Sequence, residues 1–371
     1  MNSRQRLLIV LDGGMPDRVP ISTYELVGYN SKAFENNDAS YYRMMQAIRE
    51  KTDCLAMWNP DSNEQFLATA SNVDREVQTS RMPDRDITHA TIHTPQGDLT
   101  QTTIRLDNIN TTWQTEHWCK SSADVDRALS IPYVPVTYSN ADESRIRSEV
   151  GDGGIIMASL ADPLLLAAEM MEFGEYTIWA AKETDHFART IEILHERCME
   201  NLRRMLDVSV VDLYRICGPE YATPPFLPAS LFERFVTPYV TEMVDLIHSK
   251  GGKVRLHCHG RIKQVLDHII ATGADAIDPC EPPPDGDITL AEVKKRCNGK
   301  MAVFGNLELK LLEHGTEQEV DDYVRDCMTS AKSGGGFVIM PTAAPINSPL
   351  APQTERNYLR YIESALKYGQ Y

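Results

Sequence analysis

Residues 253–260 read Lys253-Val254-Arg255-Leu256-His257-Cys258-His259-Gly260, and the fold turns on how this run is read. It reads as a strand that ends on a histidine pair. A helix-patterned segment follows at 262–271, and then a second short strand, Ala274-Asp275-Ala276-Ile277-Asp278. Strand, helix and strand in that order imply parallel strands joined by helical crossovers.

The same unit recurs outward in both directions. Upstream lie a strand at Ile155-Ile156-Met157-Ala158-Ser159, a long helix near 183–206 and a strand at Val211-Asp212-Leu213-Tyr214-Arg215-Ile216. Downstream lie Met301-Ala302-Val303-Phe304-Gly305, a helix pattern at 320–333 and Gly336-Phe337-Val338-Ile339-Met340. Two N-terminal strands complete the set, Val19-Pro20-Ile21-Ser22 and Cys54-Leu55-Ala56-Met57-Trp58, with a helix near 41–50 between them. About eight strands alternating with helices predict an α/β fold, a (β/α)8 TIM-type barrel, over an open sheet. No Gly-x-Gly-x-x-Gly or Walker loop follows any strand, which argues against a nucleotide-binding fold.

One region breaks the pattern. From about 61 to 135, Thr, Asp and Asn are dense and apolar residues alternate, as in Ile92-His93-Thr94-Pro95-Gln96-Gly97-Asp98-Leu99-Thr100. Alternation around a turn with Pro and Gly is hairpin chemistry, so an inserted β-ribbon, a lid over the barrel, is expected there. The rest of 1–371 reads as one barrel domain.

Composition bounds the partners. The 371 residues carry 37 Lys and Arg against 53 Asp and Glu, a formal charge of −16. Such an acidic chain is a poor partner for nucleic acid or an anionic membrane, which need a basic patch. No apolar run approaches the ~20 residues of a membrane span, and the first residues are too polar for a secretory signal, so the cytoplasm is the expected compartment. The eight cysteines include no Cys-x-x-Cys pair and read as thiols rather than as a disulfide framework. A homodimer is compatible with the sequence.

In a barrel of this kind the chemistry sits at the C-terminal strand ends. Those ends here are Cys217-Gly218-Pro219-Glu220-Tyr221, His257-Cys258-His259-Gly260, Asp278-Pro279-Cys280-Glu281, Gly305-Asn306-Leu307-Glu308 and Met340-Pro341-Thr342. Strand side chains alternate, so His257 and His259 point to one side and Cys258 points away. Two imidazoles so placed make one edge of a site for zinc or another divalent metal. Glu220 is the first choice for a third ligand, with Cys280 and Glu281 in reserve. The expected catalytic residues are therefore Glu220, His257 and His259. Tyr24, Trp58, Tyr221, Asn306 and Met340 are candidates for the substrate wall, although residues of these types more often serve as plain core or turn caps.

The chain resembles the uroporphyrinogen decarboxylase superfamily nearly end to end. The resemblance rests on Arg4-Gln5-Arg6-Leu7-Leu8, on Gly14-Met15-Pro16-Asp17-Arg18-Val19-Pro20, on Leu256-His257-Cys258-His259-Gly260 and Gly273-Ala274-Asp275-Ala276-Ile277, on the Glu-Pro-Pro-Pro segment at 281–284, on Phe304-Gly305-Asn306, and on Gly335-Gly336-Phe337-Val338-Ile339-Met340-Pro341. The superfamily's decarboxylases hold a carboxylate-rich tetrapyrrole with an N-terminal Arg-rich loop. The matching stretch here, Pro20-Ile21-Ser22-Thr23-Tyr24-Glu25-Leu26-Val27-Gly28, has no Arg, and its Glu25 would repel the carboxylates of such a substrate. The other branch, zinc-dependent corrinoid-linked methyltransferases, binds zinc through His-x-Cys on one strand and Cys on the last. His257 matches that His, His259 stands in place of the first Cys, and Pro341-Thr342-Ala343-Ala344 replaces the last.

The resemblance thus implies a methyltransferase with a harder, N/O-rich metal site. Such a site suits an oxygen leaving group, as in a methoxylated aromatic donor, more than thiol activation. The methyl would pass to the Co(I) corrinoid of a separate carrier protein, since no Asp-x-His-x-x-Gly motif for holding cobalamin is present. A methylcorrinoid-to-thiol methyltransferase of the coenzyme M type and a decarboxylase are the alternatives.

Overall fold

Seven strands lie side by side in one parallel sheet: Cys54–Met57, Gly154–Ala161, Leu213–Cys217, Lys253–Cys258, Ala276–Pro279, Ala302–Leu307 and Phe337–Pro341. The computed structural model describes residues 1–371. The sheet curls into a TIM-type barrel with helices outside, as the strand–helix alternation predicts.

The eighth position is held by one residue. Ile21 bridges Ile339 in parallel, and Asp53 N donates to Ile21 O on the other side. The strand expected over 19–22 therefore contracts to a single bridge, and Pro20, with no N–H, contributes only its carbonyl, to Ile339 N. A buried carboxylate reinforces this seam. Asp53 Oδ2 accepts from Ile21 N at 2.8 Å and Arg18 Nη1 at 2.7 Å, and Oδ1 accepts from Arg6 Nη1 at 2.6 Å.

The outer helices form where one face is apolar. Thr184–Val208 buries Phe187, Ile191, Leu194, Cys198, Leu202 and Met205, spaced three or four apart, against the barrel. Glu317–Ala331 starts on a capping box in which Thr316 and Glu319 satisfy each other's backbone N–H. The N-terminal helix Ser3–Leu11 turns Leu7, Val10 and Leu11 toward the barrel floor, where they pack with Leu55, Ile155, Leu213, Phe304 and Val338. Each such side chain adds about 1.5–3 kcal/mol by burial. No helix is long and apolar enough to cross a membrane.

The region that breaks the pattern is a four-stranded antiparallel sheet, Asp74–Arg81, Arg85–Thr94, Gly97–Leu106 and Trp113–Glu116. Thr94 pairs with Gly97, leaving Pro95-Gln96 as the two-residue turn. The ribbon is shorter than its expected span, because Ser122–Leu129 is a helix capped by the Ser121 side chain. At its base Asp61–Ser62 pairs with Tyr138–Ser139.

Candidate active site

Alternation along the strands sorts the barrel lumen into layers. On the third and fourth strands Tyr214, Ile216, Val254, Leu256 and Cys258 belong to the core between barrel and helices. The residues between them, Leu213, Arg215, Cys217, Arg255 and His257, therefore face inward. The lumen is apolar at the bottom, cationic at Arg215 and Arg255, and then lined by imidazole and carboxylate at the C-terminal end.

His257 and His259 meet as the i, i+2 spacing requires. Their ring centroids are 4.5 Å apart and the planes are perpendicular. Each ring is oriented by a carboxylate from the next strand. His257 Nδ1 lies 2.9 Å from Asp278 Oδ2, and His259 Nδ1 lies 2.5 Å from Glu281 Oε1. Parallel pairing of His257 with Asp278 sets the first contact. Glu281 is fixed in turn by Gly260 N. The Nε2 atom of each ring is left for a ligand.

The two imidazoles differ electrically. Burial pushes His257 down to about 4, against the pull of Asp278, so it is neutral at pH 7. Burial also lowers His259, but the hydrogen bond and charge of Glu281 outweigh it and raise this group above the ordinary histidine value. Asp278 has no exposed surface, and burial alone would raise it; Arg255, His257 and Arg215 hold it far below the carboxylate range. Its Oδ1 lies 2.9 Å from Arg255 Nε, an ion pair without hydrogen-bond alignment.

Arg215 is tied to the loop after Ile21. Its Nη1 donates to Glu25 Oε1 at 2.9 Å and its Nη2 to the Tyr24 hydroxyl at 2.8 Å, while its Nε has no partner. Tyr24 takes a left-handed backbone, φ 59°, uncommon for a bulky residue, and its ring centroid lies 6.2 Å from that of His257. The loop thus lays an aromatic ring beside the histidine pair.

Of the expected trio, the structure brings the rings of His257 and His259 together, while Glu220 is turned back on its own loop and acts on His259 through its charge. Glu220 Oε2 accepts from Gly218 N at 2.9 Å, and no three His, Cys, Asp or Glu side chains converge as a metal group. Glu281, held in reserve as a ligand, is instead the partner of His259. Cys280 points with Cys258 into the outer core, and burial pushes both thiols well up. The residues present therefore offer a metal two orienting-carboxylate histidines, a recurrent arrangement for ligation, without a third ligand beside them.

The substrate-wall residues divide as well. Tyr24 is in the site. Trp58 lies at the end of its strand, with Nε1 donating to Asp142 at 3.0 Å. Tyr221 packs against Phe173 and Tyr176 on the rim. Asn306 turns outward, its Nδ2 donating to Cys280 O at 3.0 Å and its Oδ1 accepting from Cys327 Sγ at 3.5 Å. Met340 belongs to the lumen floor, its Sδ 3.7 Å from Arg255 Nη1.

Sequence reading missed Arg215, Arg255 and Asp278, and it took Glu25 for a charge facing the substrate, not for the partner of Arg215. The signal was present for the first two: each lies an even number of residues before an inward strand-end residue, so alternation places both in the lumen. A fully buried carboxyl also went unremarked. Asp162 sits against Gly218 Cα, where a Cβ would fall 1.8 Å from its Oδ1, and burial raises it well above the carboxylate range. Its Oδ2 has no partner.

Comparison with known proteins places this geometry. The family described as uroporphyrinogen decarboxylase (URO-D) matches residues 121–351, more than half of the chain. The chain belongs to the URO-D family. Two curated relatives, both methylcobamide:CoM methyltransferases from Methanosarcina barkeri, one of them from strain Fusaro, are 22% identical over 162 residues. The match takes in 44% of this chain and 45% of each relative, so the chain spans less than half the length of the curated relatives it matches. Among solved structures, a methyltransferase from Methanosarcina mazei superposes over 99% of both chains with TM-score 0.63 at 14% identity, which shows a shared fold. Within the URO-D fold the histidine pair occupies the mouth at which barrel enzymes carry out their chemistry.

Proposed function

We propose that this URO-D family chain is a methyltransferase that takes the methyl group of an O-methyl donor, a methoxylated aromatic compound, for the Co(I) corrinoid of a partner protein. One observation carries the choice of donor: the mouth presents nitrogen and oxygen but no thiolate. Cys258 and Cys280 face away, and Cys217, which faces inward, is pushed by burial up to about 11 and keeps its proton. In the reaction the ether C–O bond breaks, the electron pair stays on oxygen and the methyl goes to the corrinoid. The oxygen then needs a proton. His259, which the hydrogen bond and charge of Glu281 make more basic than an ordinary histidine, is the donor suited to it. Neutral His257 and the Tyr24 ring orient the aromatic beside it.

The family resemblance adds zinc to this reading. The Nε2 atom of neutral His257 and, in its deprotonated state only, that of His259 are what the chain offers such an ion, which would polarise the ether oxygen as a Lewis acid in place of the proton. No third ligand stands beside them, so no step is assigned to the metal here.

A second reading follows from the names of the curated relatives: methyl transfer from a methylcobamide to a thiol. One assay separates the two. The purified chain is given reduced corrinoid protein and an aryl methyl ether, and methyl-cobalt formation is followed by absorbance. Methylation from the ether, lost in His259→Ala, supports the first reading. Transfer only from methylcobalamin to a thiol supports the second. Transfer from a donor class other than aryl ethers sinks the first. Elemental analysis of protein purified without added metal tests the zinc: about one ion per chain, lost in His257→Ala and His259→Ala, is the expected result.

A further inference from the structure

The charges of the lumen carry an inference about the substrate, resting on the methyl-transfer reading above. Two guanidiniums are buried there, with Arg215 and Arg255 6% and 2% exposed. Asp278, the one fully buried carboxylate beside them, gives one oxygen to His257 and the other to Arg255. Arg215 is left with a different kind of partner. Glu25 comes from a loop rather than a strand, and its side chain is 47% exposed. A buried cation is expensive unless it is paired; Asp278 acts on Arg215 through its charge but not by a hydrogen bond, and the one anion bonded to it is half in water. The guanidinium also keeps one unsatisfied N–H, at Nε. The loop that brings Glu25 brings Tyr24 over the same cation, with the guanidinium carbon 5.3 Å from the ring centroid.

This is the arrangement of an anion site closed by a residue of its own chain. We propose that Arg215 anchors an anionic substituent of the substrate, and that a carboxylate on the aromatic ether replaces Glu25 at the guanidinium. The substrate class is then a methoxylated aromatic carboxylate. A planar carboxylate can take two guanidinium N–H groups at once, one at Nη1, where Glu25 sits, and the parallel one at Nη2. Displacing Glu25 sends it to water at little cost, because it is already half hydrated, while Tyr24 keeps its own hydrogen bond to Arg215 Nη2.

The test is calorimetric titration of the full chain with 4-methoxybenzoate, benzoate and the neutral ether methoxybenzene. The wild type should bind both carboxylates more tightly than methoxybenzene. Arg215→Gln should weaken the two carboxylates roughly tenfold or more and leave methoxybenzene unchanged. Should that variant fail to fold, Glu25→Gln decides: without the competing carboxylate, 4-methoxybenzoate should bind several-fold more tightly. Equal binding of charged and neutral ligands, no binding of 4-methoxybenzoate, or weaker binding in Glu25→Gln would overturn the proposal. Tight binding of 4-methoxybenzoate without methyl transfer would leave the anion site standing and remove the reaction assigned above.

Discussion

Asp278 and His257 are bonded across two neighbouring strands, Oδ2 to Nδ1 at 2.9 Å, and neither side chain has more than a trace of exposed surface. An ionised carboxylate accepts only, so His257 carries its proton on Nδ1 and turns a bare Nε2 to the mouth. The tautomer follows from the partner. In Asp278→Asn the amide removes the charge and can present a donor to the ring. Activity is expected to fall roughly 10–100-fold, the usual cost of losing a histidine's orienting carboxylate. Nitrogen-detected NMR should show the proton of His257 redistributed between its two nitrogens; an unchanged tautomer would refute the assignment.

The two histidines should titrate apart. His257 stays neutral down to about pH 4, whereas His259 titrates above the ordinary histidine value. The signs for stability are opposite. Between about 4 and the unfolded value near 6.5, the unfolded chain binds a proton that buried His257 refuses, so stability is lost as pH falls through that window. The His259 contribution is complete below the unfolded value and is lost as pH rises through the folded one. Histidine NMR titration of wild type and Glu281→Gln checks both: the variant should lower the His259 value much more than it moves that of His257.

The seam of the barrel should be fragile at Asp53. Its two oxygens hold Arg6, Arg18 and the backbone of Ile21, and the side chain has no exposed surface. Asp53→Asn leaves Arg18 without its ion-pair partner and Arg6 with Asp17 alone, and about 3–5 kcal/mol of stability should be lost. A urea midpoint within error of the wild type would show that the network contributes nothing.

Gly218 should not tolerate a side chain. Its φ is 133°, and a Cβ would fall 1.8 Å from Asp162 Oδ1. Gly218→Ala forces that carboxyl or the loop carrying Glu220 to move, at about 1–3 kcal/mol. Thermal denaturation measures the loss, and an unshifted midpoint would mean that the loop relaxes freely.

Strand alternation made much of this site legible. It put His257 and His259 on one side and Cys258 on the other, and the rings do meet while the thiol lies in the outer core. What it could not give was direction beyond a strand end. Glu220 and Glu281 both follow strands by a few residues, and loop geometry decides that only Glu281 hydrogen-bonds His259. Asn306 was misleading for a related reason. Gly305 has φ 154° at that point, and the Asn306 amide turns toward the helix layer instead of following the alternation into the lumen. The strand at 19–22 was too weakly specified to survive at full length, because its proline cannot donate to the ladder.

The bridge between Ile21 and Ile339 has a consequence for synthesis. Ile21 leaves the ribosome early and its partner strand very late, so the early segment, bonded to Asp53 on one side, waits without its other neighbour while nearly all of the barrel is translated. Glu25 and Tyr24 belong to that waiting segment, and the cation they cover, Arg215, also appears well before the circle can close. A nascent chain stalled before Phe337 would carry every histidine and carboxylate of the mouth without the last stave that keeps them in register. Competence should therefore come in a single late step, and partly translated chains would present an open sheet edge of the kind that chaperones guard.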